Sequence, residues 1–108
     1  VYTKLLDDLY AAGARNLLFL SVPPVERAPL TLSKDDGGYA VENEGRVVRE
    51  WNSRLKNLTS AFGTAHKEAN LFVHDTWSTY DRVLKNPAAF EQTRGLRNTT
   101  GFCAAYTG

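Results

Sequence analysis

The sequence predicts an α/β fold around parallel strands, and three observations predict it. Leu17-Leu18-Phe19-Leu20 is apolar at every position, as only a strand covered on both faces can be. Leu71-Phe72-Val73 is a second run of the same kind. Between them lies a long amphipathic stretch, and a strand–helix–strand unit places its two strands side by side in a right-handed crossover. The order reads α–β–α–β–α. Two strands fall short of the about five that a doubly wound sheet needs. Residues 1–108 are therefore read as part of a three-layer α/β/α domain, with central parallel strands at about 16–21 and 69–74.

Each element has its own local reason. Tyr2, Leu5, Leu6, Leu9 and Tyr10 fall at helical spacing, and Gly13 can take the left-handed conformation that closes a helix. The first strand, from Asn16 to Ser21, stops at Val22-Pro23-Pro24, since proline cannot donate to a sheet ladder. Leu30-Thr31-Leu32 and Tyr39-Ala40-Val41 flank Lys34-Asp35-Asp36-Gly37-Gly38, which suggests a small hairpin. The second helix runs from Asn43 or Glu44 to Phe62 on a stripe of Val47, Val48, Trp51, Leu55, Leu58 and Phe62, with Gly63 as its terminator. Ala69–His74 is the second strand, apolar enough to be buried. Asp75 or Thr76 caps a third helix whose inner face is Trp77, Tyr80, Val83 and Leu84, and Asn86-Pro87 stops it. Glu91 to Gly108 reads as loop anchored by Phe90, Phe102 and Tyr106.

Composition excludes several classes. The chain is 43% apolar and 23% charged with a net charge of +1, so nothing in it points to nucleic acid or an anionic membrane surface as partner. No window holds the roughly 18 consecutive apolar residues of a membrane span. Cys103 is the single cysteine, a solitary thiol or half of a disulfide whose partner lies elsewhere. Asn57-Leu58-Thr59 and Asn98-Thr99-Thr100 are glycosylation sequons, which with that cysteine favour a secreted, oxidising setting.

Chemistry in open parallel sheets gathers past the carboxyl ends of the strands, which here means Ser21–Arg27 and Asp75–Trp77. Ser21 and Ser78 sit there, but neither lies in a Gly-x-Ser-x-Gly turn. His74 ends a strand and reads as a packing or hydrogen-bonded residue, with Asp75 on the opposite face and so poorly placed to orient it. His66 lies in a polar connection and reads as solvated. No metal-ligand spacing and no glycine-rich phosphate loop occurs, so no cofactor or metal is expected. Trp51 and Trp77 fall on apolar helix faces and read as core. The residues make no complete active site.

Three stretches carry a resemblance. They are Tyr2-x-x-Leu5-x-x-x-Leu9-Tyr10-x-x-Gly13-Ala14-Arg15 with its apolar strand and Pro23-Pro24, then Trp51-Asn52-x-x-Leu55 leading to Ala69–Trp77, and lastly Val83-Leu84-x-Asn86-Pro87-x-x-Phe90 with Asn98-Thr99-Thr100 and Cys103. In this order they resemble the GDSL, or SGNH-hydrolase, esterases, nearest the secreted fungal acetylesterase-like and plant lipase-like branches. The resemblance implies an SGNH, flavodoxin-like sheet and hydrolysis of a small-molecule or carbohydrate ester by a serine with a histidine base. The family's Gly-Asp-Ser block would precede Val1 and its Asp-x-x-His block would follow Gly108, so no catalytic residue carries over. Pro23, Pro24, Asp75 and Trp77 are expected to form one wall of the substrate cleft, Asp75 in a structural role. The alternative is a non-catalytic α/β binding or interaction module derived from the same fold.

Overall fold

The computed structural model describes residues 1–103 and 105, and the expected anchor Tyr106 lies outside them. Helix α1 spans Tyr2–Ala11, and Gly13, at φ 106°, turns the chain into β1, Asn16–Leu20. Helix α3, Tyr39–Ala65, then carries the chain to β2, Asn70–His74. The strands pair in parallel, from Asn16 opposite Asn70 to Leu20 opposite His74. The expected parallel α/β arrangement is thus present as a two-stranded sheet. Helix α4, Thr76–Lys85, follows β2, and Asn86-Pro87 ends it as expected.

The connection between β1 and α3 differs from expectation. No hairpin forms there: Val25–Arg27 is a 3-10 turn and Pro29–Leu32 is one turn of helix, α2. Pro29 stands at the first position of α2, where its missing N–H costs nothing. Asp36 then starts α3, its carboxylate accepting from the Gly38 and Ala40 N–H groups at 3.0 Å each. Gly37 and Gly38 hold positive φ, so Asp-Asp-Gly-Gly makes a helix start rather than a hairpin turn. Nor does Gly63 end the helix, which continues to Ala65. A Cβ at Gly63 would stand 3.0 Å from Leu71 Cδ1, so the glycine lets β2 pack close against α3.

One face of the sheet is covered except at Val73, which pairs with the buried Phe19 and is itself 60% exposed. Phe19 is buried with Leu6 of α1 and Leu55 and Phe62 of α3, and Leu17, Leu58, Leu71 and Tyr10 complete the cluster. His66 belongs to it too, contrary to the solvated reading. Its ring lies 4.2 Å from that of Tyr10 and 4.3 Å from that of Phe62, with Nε2 3.2 Å from Asp7 Oδ1. The folding of α1 back over the end of α3 brings these groups together.

The other face is open. Leu18 is 65% exposed, and Leu20 and Phe72 are each 57% exposed, although their apolar character had suggested cover on both sides. His74 shares this face and is exposed rather than packed. Trp51 is 49% exposed, edge-on to Tyr2, instead of core. No residue of α4 is buried, although Trp77, Val83 and Leu84 are half-covered. Phe90 lies under Arg82, and Phe102 is exposed.

The whole chain shows the same lack of cover. Its surface is 7968 Å², where a compact protein of this mass would show about 6,000 Å². Its radius of gyration is 17.7 Å, against about 13 Å for a compact chain of this length.

Candidate functional site

The carboxyl ends of both strands open onto one groove of about 730 Å³. Its first wall is the segment leaving β1. The Ser21 N–H donates to the His74 carbonyl at 3.2 Å, continuing the ladder one residue past the strand. Val22 is then held by Asn52 of α3, whose Oδ1 accepts from the Val22 N–H at 2.8 Å while its Nδ2 donates to the Val22 carbonyl at 2.9 Å. A carboxamide matches both backbone groups at once, so it replaces the neighbouring strand that the ladder lacks there. Pro24 is buried and Pro23 half-buried just beyond.

The second wall is the junction of β2 and α4. Asp75 caps α4, with Oδ1 accepting from the Ser78 N–H at 3.0 Å and Oδ2 from the Ser78 hydroxyl at 2.6 Å. Ser21 Oγ donates to Asp75 Oδ1 at 3.4 Å and accepts from the Trp77 N–H at 3.1 Å, which ties the two strand ends together. The Ser78 hydroxyl, first among these contacts, holds the Asp75 carboxyl below its ordinary range, so the cap is an anion. Arg27, in the 3-10 turn after β1, pairs with Asp81 of α4 and fastens the same two segments farther out.

The remaining wall is α3. Arg49, Asn52, Ser53, Lys56 and Thr59 recur at helical spacing and line the groove along one face. Asp75 and Trp77 line the groove as well, and Pro23 and Pro24 lie outside its lining. Sequence reasoning gave Asn52 no role. The available signal was a polar amide at the border of an apolar helical stripe, facing a strand end with unpaired backbone.

Among the described residues neither serine has a histidine partner. Ser21 and Ser78 spend their hydroxyls on Asp75 and the Trp77 N–H, and His66 bonds Asp7 on another face. Among the described residues no serine–histidine pair forms, and no group of three or more His, Cys, Asp or Glu side chains converges. Among the described residues three buried side-chain polar atoms lack a partner: Glu26 Oε2, Thr76 Oγ1 and Trp77 Nε1. All three follow the carboxyl end of a strand along the chain, and of their residues Trp77 lines the groove. A smaller, apolar recess of about 290 Å³ lies between the start of α1 and Trp51, Leu55 and Leu58, away from the strand ends. Among the described residues no helix is long and apolar enough to cross a membrane.

Comparison with known proteins identifies relatives over nearly the whole chain. An acetylesterase of Thermothelomyces thermophilus is 33% identical over 92 residues, covering 82% of this chain and 29% of the relative. The chain is homologous to this acetylesterase and to GDSL esterase/lipases. Two GDSL esterase/lipases of Arabidopsis thaliana match as well, at 27% identity over 104 residues and 24% over 102, covering 94% and 91% of this chain. The resemblance read from the sequence is thereby borne out. No family model matches the chain. The chain spans under a third of the length of these relatives.

Proposed function

We propose that this chain is a segment of a serine ester hydrolase of acetylesterase or lipase type, and that it holds no complete active site. The similarity to an acetylesterase and to GDSL esterase/lipases, over less than a third of their length, carries the reading. The open sheet face and the three unpartnered buried atoms support it, because native proteins cover apolar faces and pair buried polar groups. In the whole protein a serine outside this chain attacks the ester carbonyl. A histidine takes its proton, and preorganised N–H donors hold the oxyanion. This segment supplies the strand-end wall of the cleft through Asp75 and Trp77, with Pro23 and Pro24 shaping access.

The test compares the complete polypeptide with the isolated 108-residue chain on 4-nitrophenyl acetate. Hydrolysis by the first and none by the second is expected. An inactive complete polypeptide that still binds a ligand at the strand ends would make this a non-catalytic module instead.

We further propose a secreted, oxidising compartment for the protein, on its two sequons and single cysteine. Asn57 is exposed on the outer side of α3, and Asn98 is exposed with its Oδ1 accepting from the Thr100 and Gly101 N–H groups. Both are proposed as glycan acceptors, and the exposed Cys103 as half of a disulfide. Peptide mass spectrometry before and after glycosidase and reductant is expected to find both modifications. Unmodified Asn57 and Asn98 with a free Cys103 thiol would contradict the compartment.

A further inference from the structure

We propose that the apolar recess between the start of α1 and the middle of α3 is the seat of the glycan carried by Asn57, whose first sugars cover Trp51 and Tyr2. The proposal rests on the reading of Asn57 as a glycan acceptor, and it adds where on the protein that glycan lies. It is independent of the strand-end groove, since the recess is a separate cavity of about 290 Å³ with its own lining.

Trp51 and Tyr2 give the recess its chemistry. Both side chains are exposed, 49% and 39%, and their rings meet edge to face with centroids 6.3 Å apart. Leu55 and Leu58 complete the apolar lining. A pyranose ring offers an apolar face of C–H groups and a rim of hydroxyls, which suits an aromatic wall with donors at its edge. Arg54 supplies those donors, and its charge is already matched by Glu50. The recess therefore asks for a neutral, hydroxylated ligand rather than an anion.

Asn57 tethers such a ligand within reach. It is exposed on α3, three residues after Arg54 and next to Leu58, both of which line the recess. Residues three apart are neighbours on a helix surface, and the step from Asn57 to Arg54 repeats from Arg54 to Trp51. Arg54 thus lies midway between them, along the axis and around it, with about 9 Å of rise in all. Helical side chains lean toward the N-terminus, so a glycan on Asn57 sets out in the direction of Arg54 and Trp51. The Arg54 stem, fixed at its head by Glu50, is an apolar floor under the first sugar and leaves further guanidinium N–H groups for its hydroxyls.

The experiment uses the complete glycosylated polypeptide. Acrylamide quenching of tryptophan fluorescence is measured before and after enzymatic removal of the N-glycans, in the wild-type protein and in Trp51→Phe, and the difference between the two proteins isolates Trp51. Quenching of Trp51 is expected to rise when the glycans are removed, and to rise equally in Asn57→Gln with any glycan on Asn98 still in place. Asn57→Gln is also expected to lower Tm by about 2 °C in the wild-type background and to leave it unchanged in Trp51→Ala. Trp51 quenched to the same degree with and without the glycan, whether open in both states or covered in both by another segment of the polypeptide, overturns the proposal and leaves Asn57 a glycan acceptor. An Asn57 that peptide mass spectrometry finds unmodified overturns both.

Discussion

Asn52 is the side chain on which the position of the segment after β1 depends, because it alone pairs both backbone groups of Val22. Asn52→Ala is expected to cost about 1–2 kcal/mol in denaturant titration of the complete polypeptide. Asn52→Asp, which keeps the acceptor and loses the donor, is expected to leave the Val22 carbonyl unpaired and to be no better tolerated. Asp75 gives a pH dependence with a definite sign. Its pKa is lowered in the folded protein, mainly by the Ser78 hydroxyl and N–H. Its contribution is therefore complete above the ordinary aspartate pKa of about 3.9 and is lost as pH falls through the lower folded value. Asp75→Ala is expected to cost about 1 kcal/mol at neutral pH, with the difference from the wild-type protein shrinking in strong acid. A constant difference across that range would contradict the cap.

At the level of elements, the strands and helices α1 and α4 were legible because local signals decide them. Gly13 closes α1, unbroken apolar runs mark the strands, and Asp75 caps α4. Helix α3 was legible in its middle and misread at both ends. Asp-Asp-Gly-Gly reads as a turn, and only the carboxylate of Asp36 reaching the Ala40 N–H shows that a helix starts there. Gly63 reads as a stop signal, yet its use is the close approach of Leu71, a contact from a strand eight residues later. Gly63→Val is expected to push that strand away and to cost about 1–3 kcal/mol, measured by denaturation of the complete polypeptide. The groove was half legible. Topology alone located the strand ends, and with them Asp75 and Trp77. The face of α3 that lines it, with Arg49, Asn52 and Lys56, depends on how the crossover helix lies against the sheet.

The molecule as a whole has more surface than its mass calls for, and the excess is specific. Its exposed apolar residues include Leu18, Leu20 and Phe72 of one sheet face, Val73 of the other, Trp51 of α3, and outer residues of α1 such as Leu5 and Leu9. The sequence foretold this, since strands apolar at every position need two covering layers and the chain supplies one. The isolated chain is expected to bind a hydrophobic dye and to melt without a sharp transition, whereas a cooperative two-state melt of the monomer would contradict the partial-domain reading. The account's central claim is that the nucleophile lies outside these residues while the segment walls the cleft. A serine-directed fluorophosphonate, reacted with the complete polypeptide and mapped by peptide mass spectrometry, tests it most directly. The account predicts one labelled serine outside Val1–Gly108 and loss of ester hydrolysis in step with labelling. Label on Ser21 or Ser78, or hydrolysis by the isolated 108-residue chain, would contradict it.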